Sequence, residues 1–113
     1  MAKSKRKFII GKMTLCGEEY PACVNVRVLQ RLEDEGIEFG SVLAEGTRRW
    51  KNLTRLIFLT IEEGAALSGV DEPPTEDEIG AMIDISELKS ISEQLADLLG
   101  GKGRKVEADP PKN

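Results

Sequence analysis

The chain has 113 residues and a net charge of −4, with 40% hydrophobic and 32% charged side chains. This length predicts one domain with one modest core, which Leu, Ile, Val and Ala must fill because aromatic residues make up only 4%. The sequence has no histidine, so Ser-His-Asp and Cys-His catalysis are excluded, and we expect a binding protein without a cofactor rather than an enzyme.

The N-terminal segment is basic, whereas the body of the chain is acidic. Residues 1–12 carry five basic side chains and no acid, and residues 13–100 carry seven basic and eighteen acidic ones. We interpret residues 1–7 as a disordered basic arm, and an arm for nucleic acid or an acidic partner is the alternative. The acidic body argues against nucleic acid, because phosphate binding needs a basic face.

The apolar run at 8–10 is too short for a signal peptide or a membrane span, which favours the cytoplasm.

Two stretches rich in β-formers, residues 8–16 and 19–24, predict a β-hairpin. The turn is expected to begin at Gly17, or one residue later. A disulfide between Cys16 and Cys23 is conceivable across such a hairpin. Free thiols are the default for a cytoplasmic protein, and no further Cys or His is present to complete a zinc site.

Apolar residues at helical spacing predict helices in the next part of the chain. Asn25 is a good N-cap for the first helix, and Gly36 is suited to end it. A short helical piece at 41–45 and a long helix at about 48–63 follow. Gly64 is expected to end the long helix, although one more turn through Leu67 remains open.

Capping motifs mark the start of the last two helices. Thr75 and Glu78 have the spacing of a capping box, and Asp84 with Glu87 repeats it. The last apolar stripe then runs to the glycines that follow residue 99. Residues 101–113 have almost no apolar content and are expected to be a disordered tail. The predicted fold is α+β and mainly α, an N-terminal β-hairpin followed by four to five helices in one domain over residues 8–100.

The apolar stripes exceed what one small core plainly needs, so part of them is expected to bind a partner. Trp50 is either a core anchor or an interface anchor. The stripe of the last helix either closes the core or meets a partner helix or another copy of the chain. The candidate partner-binding residues are Trp50, Leu53, Ile57, Leu88, Ile91, Leu95 and Leu98.

The stretch KMTLCGEEYP at 12–21, followed by VNVRVLQRLE at 24–33, resembles the opening of tail assembly chaperones from long-tailed (siphovirus-type) bacteriophages. Those proteins begin with a strand, a glycine-containing turn and a Glu-Tyr strand, and then enter a helix with a Leu-x-x-Leu-Glu pattern. A long helix, a Thr-x-x-Glu helix start and a final amphipathic helix extend the resemblance over about residues 8–100.

The resemblance implies a non-enzymatic function in the host cytoplasm. Such chaperones bind the tape measure protein, shield its apolar stretches and help to recruit tail tube subunits, and they are absent from the finished virion. Self-association into a homo-oligomer would bury surplus stripes until the client arrives. The alternatives are a head–tail or tail adaptor that stays in the virion, and a small DNA-binding regulator that uses helices 25–35 and 41–63.

Overall fold

The protein folds as an antiparallel hairpin followed by α-helices, which confirms the predicted fold class. The computed structural model describes residues 9–38, 49–100 and 105–106. The predicted arm at 1–7 and the predicted helical piece at 41–45 lie outside them. The elements of the described chain are β1 (Ile9–Leu15), β2 (Glu18–Ala22), α1 (Val26–Asp34), α2 (Arg49–Ser68), α3 (Glu76–Met82), a 3-10 turn (Ile85–Glu87), α4 (Leu88–Gly100) and β3 (Lys105–Val106).

The hairpin turn consists of Cys16 and Gly17, one residue earlier than predicted. Both residues have positive φ, 53° and 83°, as a two-residue type I′ turn requires. This turn places Leu15 opposite Glu18, and its twist matches that of the strands. Cys16 is exposed, whereas Cys23 is buried beyond the far end of β2, and neither is in a disulfide. The length of a five-residue strand, roughly 17 Å, separates the two and precludes a disulfide.

The first helix has the predicted boundaries and both of its caps. The Asn25 side chain accepts a hydrogen bond from the Val28 amide at 3.0 Å. At the other end Gly36 has a φ of 76°, and the Ile37 amide donates to the Leu32 carbonyl at 2.9 Å. This is a Schellman motif, which only a residue that tolerates left-handed backbone can complete.

The long helix α2 continues through Gly64 and ends at Ser68, which agrees with the alternative of one more turn. Gly64 lies where α2 crosses the end of β2. A Cβ on Gly64 would be only 2.4 Å from the backbone nitrogen of Ala22. The Cys23 amide also donates to the Thr60 carbonyl at 3.0 Å. Gly64 is therefore a close-approach glycine, and Gly69, with a φ of 78°, provides the C-cap.

The core is continuous from the hairpin to α4, with α2 at its centre. Helix α2 packs against α1, α3 and both hairpin strands, and α4 packs against β1. The Gln94 side chain accepts from the Thr14 amide at 2.6 Å and donates to the Thr14 carbonyl at 3.1 Å. It thereby pairs with part of the β1 edge that faces away from β2. Within the described chain no helix is long and apolar enough to cross a membrane.

The same edge of β1 pairs with two residues of the predicted disordered tail. Lys105 and Val106 form β3, which lies antiparallel to Ile10 and Ile9. The structure therefore differs from the expectation at these two residues, because the outer edge of β1 offers backbone groups that an extended segment can satisfy. The other residues of 101–113 lie outside the described chain.

Candidate partner-binding groove

The seven predicted partner-binding residues divide between surface and core. Trp50 is 50% exposed, and Leu88 is partly buried against the core. The other five are buried and cannot form a docking surface in this fold, which corrects the prediction for them. These five are Leu53, Ile57, Ile91, Leu95 and Leu98.

The hairpin explains why these stripes are buried. Its side chains Met13 and Leu15 are fully buried and meet the apolar sides of α2 and α4. Helix α2 also receives α1 and α3, so its apolar residues, which extend around most of the helix, are covered from several directions. Most of the apparent surplus of apolar residues is therefore packed within the chain.

Trp50 lines an open groove bounded by the end of α1, the first turns of α2 and the start of α3. The groove has a volume of about 1150 Å³. Glu35 and Ile37 line it from the α1 side, and Glu76 and Gly80 line it from α3. This volume exceeds the roughly 300–1000 Å³ of small-molecule pockets, and it suits several side chains of a polypeptide.

Arg55 fixes the relative positions of the groove walls. Its Nε and Nη2 atoms donate to the two carboxylate oxygens of Glu35 at 2.9 and 2.7 Å. Its Nη1 atom donates to Glu76 at 2.8 Å, and its guanidinium lies 5.5 Å from the centre of the Phe58 ring. One side chain of α2 thus holds the end of α1 and the first turn of α3.

The two strongest partners in this cluster perturb each other's ionisation. Hydrogen bonds from Arg55 lower the pKa of Glu35, an effect that partial burial opposes. Hydrogen bonds from Arg55 to Glu35 raise the pKa of the guanidinium, and Glu76 adds to the increase. Both groups therefore stay charged at neutral pH, and the groove keeps its shape there.

Two charged residues at the groove remain available for a partner. Lys51 on α2 and Asp77 on α3 line the groove, and neither side chain forms a hydrogen bond or ion pair with the residues that the structure describes. Beside them the guanidinium of Arg49 lies 4.6 Å from the centre of the Trp50 ring. The groove thus combines an aromatic anchor with one free charge of each sign.

Sequence reasoning identified Trp50 but not the polar residues of the groove. The pairing of Arg55 has no local signal, because its two acids come from distant parts of the chain. The sequence did contain a signal for Gly80, because a glycine inside a predicted helix lowers its stability and can indicate a packing or functional role. The described residues contain no group of three or more His, Cys, Asp or Glu that could hold a metal ion.

Comparison with protein-family models, curated proteins and solved structures finds no match for the chain.

Proposed function

We propose that the protein is a non-enzymatic tail assembly chaperone that binds the tape measure protein in the host cytoplasm and helps to recruit tail tube subunits. The observation that carries the proposal is the half-exposed Trp50 in an open groove. Tryptophan is enriched among the residues that dominate binding energy, and exposing half of such a side chain has a cost that a partner can recover. The resemblance over residues 8–100 supplies the identity of the client.

A groove between helix ends is suited to a helical client. Helix-in-groove recognition places the apolar side of an amphipathic helix against apolar anchors, with polar contacts at the margins. Trp50 supplies the anchor, and the groove is large enough for a helix segment rather than a single side chain. A tape measure protein, which is long and helical, offers many such segments.

The test is a pull-down after co-expression with the tape measure protein of the same phage. We expect the wild-type protein to retain this client, and Trp50→Ala to weaken retention by about tenfold or more. The matched control is Ile85→Ala, because Ile85 is 74% exposed and lies in the 3-10 turn, away from the groove residues. Both variants should keep a melting temperature close to that of the wild type.

Failure of the wild-type protein to retain the client would overturn the proposal, as would equal retention by Trp50→Ala. Whether the protein remains in the finished virion is tested separately by mass spectrometry of purified virions. A chaperone should be absent from them, whereas a structural adaptor would be present in stoichiometric amounts.

A further inference from the structure

Gly80 occupies a position in the groove that the packing of the described residues does not explain. It is an exposed residue in the middle of α3. A Cβ at this position would meet Thr54 Cγ2 at 3.8 Å, an ordinary van der Waals distance, with no other described atom within 4 Å outside its own surroundings. Glycine inside an exposed helix is destabilising relative to alanine, and no contact among the described residues requires a glycine here, so a partner can approach the helix backbone closely at this position.

The absence of a side chain at Gly80 leaves a shallow surface beside Trp50. We call this surface, formed by Gly80 and Thr54, the floor of the groove. Thr54, the described neighbour of Gly80, is four residues after Trp50 and lies on the same side of α2. Its hydroxyl donates to the Trp50 carbonyl at 2.9 Å, so its hydrogen-bond donor is already used. The floor therefore presents small groups, and a helix laid on such a surface can approach closely, because the side chains at the contact set the distance between helix axes.

The free charges lie on either side of this floor. Lys51 follows Trp50 on α2, whereas Asp77 lies three residues before Gly80 on α3 and on the same side of that helix. Arg55 is already bound to two carboxylates. A partner in the groove therefore meets one unpaired positive charge and one unpaired negative charge.

We propose that the groove binds an amphipathic α-helix of the client that packs over Gly80 and places an apolar side chain against Trp50. On its flanks the helix carries a basic side chain near Asp77 and an acidic side chain near Lys51. This inference rests on the proposed chaperone function and defines the chemistry of the client segment.

The surface favours a helix over other partners. The described residues that line the groove belong to helices and helix ends, which offer no strand edge for an extended peptide. The unpaired Asp77 would repel the phosphates of a nucleic acid and so offset their attraction to Lys51. A helix with charges of both signs matches Lys51 and Asp77 together.

The decisive variants are Gly80→Ala and Gly80→Leu, tested in the full chain with the co-expressed tape measure protein as probe. We expect Gly80→Ala to raise the melting temperature by about 2–5 °C and to weaken client binding by about threefold. Gly80→Leu should fold and weaken binding by more than about tenfold. The control is Ala81→Leu, because Ala81 is exposed on the same helix but does not line the groove, so this variant should bind like the wild type.

The charges are tested by Lys51→Glu and Asp77→Lys, each of which should weaken binding several-fold at low salt and less at high salt. Limited proteolysis of the wild-type complex should protect a client segment with apolar residues at helical spacing and both charges on its flanks. A protected segment rich in proline and glycine would overturn the inference, and so would unchanged binding by both Gly80 variants. If Trp50→Ala still releases the client in that case, the proposed function stands and only the helix packing is wrong. If the wild type retains no client, both fail.

Discussion

Cys16 adopts a backbone conformation that suits few side chains. Its φ of 53° is left-handed and its thiol is exposed, so its side chain contributes little packing that could offset the strain. Asparagine favours this position of a type I′ turn. We expect Cys16→Asn to raise the free energy of unfolding by roughly 0.5–1 kcal/mol and Cys16→Val to lower it by a similar amount. Thermal denaturation checks this, and equal melting temperatures for the two variants would contradict it.

Glu35 makes part of the stability depend on pH, because hydrogen bonds from Arg55 lower its pKa. Its stabilising contribution is complete above the pKa of an unfolded glutamate, about 4.3, and is lost as the pH falls through the lower pKa of the folded state. Glu35→Gln should therefore reduce the melting temperature at pH 7. The gap between wild type and variant should narrow as the pH falls below about 4.3 and close once the pH is below the folded-state pKa of Glu35.

The control for this pH dependence is Glu33→Gln. Glu33 is an exposed acid near the end of the same helix, and its side chain has no hydrogen bond or ion pair within the described residues. Its replacement should leave the melting temperature almost unchanged at every pH. A gap for Glu35→Gln that stays constant from pH 7 to pH 3 would show that its carboxylate is not the titrating partner of Arg55.

At the scale of elements, two helix glycines should respond oppositely to the same substitution. A Cβ on Gly64 would lie 2.4 Å from backbone atoms of Ala22 and Pro21, which cannot rotate away, whereas a Cβ on Gly80 has space. We expect Gly64→Ala to lower the free energy of unfolding by about 1–3 kcal/mol or more. Gly80→Ala should raise it by up to about 1 kcal/mol. Urea denaturation measures both, and a stabilising Gly64→Ala would contradict the close crossing of α2 and β2.

Helix starts were predictable because their signals are local. The Thr75 side chain accepts from the Glu78 amide at 3.1 Å, and the Glu78 side chain accepts from the Thr75 amide at 2.9 Å. The same exchange occurs between Asp84 and Glu87. A capping box involves residues three apart, so the sequence contains the whole interaction. The hairpin and α1 were predictable for the same reason.

Features that depend on distant contacts were not predictable from local patterns. Gly64 was expected to end a helix, because the sequence does not show that β2 approaches it. The last helical segment begins with a 3-10 turn at Ile85–Glu87, which its apolar spacing does not distinguish from an α-helix. The groove depends on Arg55 meeting acids 20 and 21 residues away. Such pairings follow from tertiary packing rather than from propensity.

Across the whole molecule, a few polar side chains join parts of the chain that are far apart in sequence. Glu63 is buried, accepts from Asn25 at 2.8 Å and forms an ion pair with Arg27 at 2.7 Å, which ties α1 to α2. Gln94 ties α4 to β1 through Thr14. A buried carboxylate needs such partners, so these ties orient the outer elements around α2.

Substitutions should distinguish core residues from surface residues among those first predicted to bind a partner. Ile57 and Leu95 are fully buried, so Ile57→Ala and Leu95→Ala should each lower the free energy of unfolding by roughly 2–5 kcal/mol. This is a large part of the roughly 5–15 kcal/mol that stabilises a domain. The milder Ile57→Val should lower the free energy of unfolding by about 0.5–1.5 kcal/mol. This variant can still be measured if the alanine variants do not fold.

Trp50→Ala is the matched surface substitution, because half of Trp50 is already exposed. It should cost less stability than either core alanine while weakening the proposed client binding by about tenfold or more. Ile57→Val, which leaves the groove intact, should bind the client like the wild type. Denaturation curves and pull-downs on the same preparations measure both quantities. If Trp50→Ala destabilised the protein as much as Leu95→Ala did, Trp50 would be a core anchor, and the groove would lose the residue on which its proposed function depends.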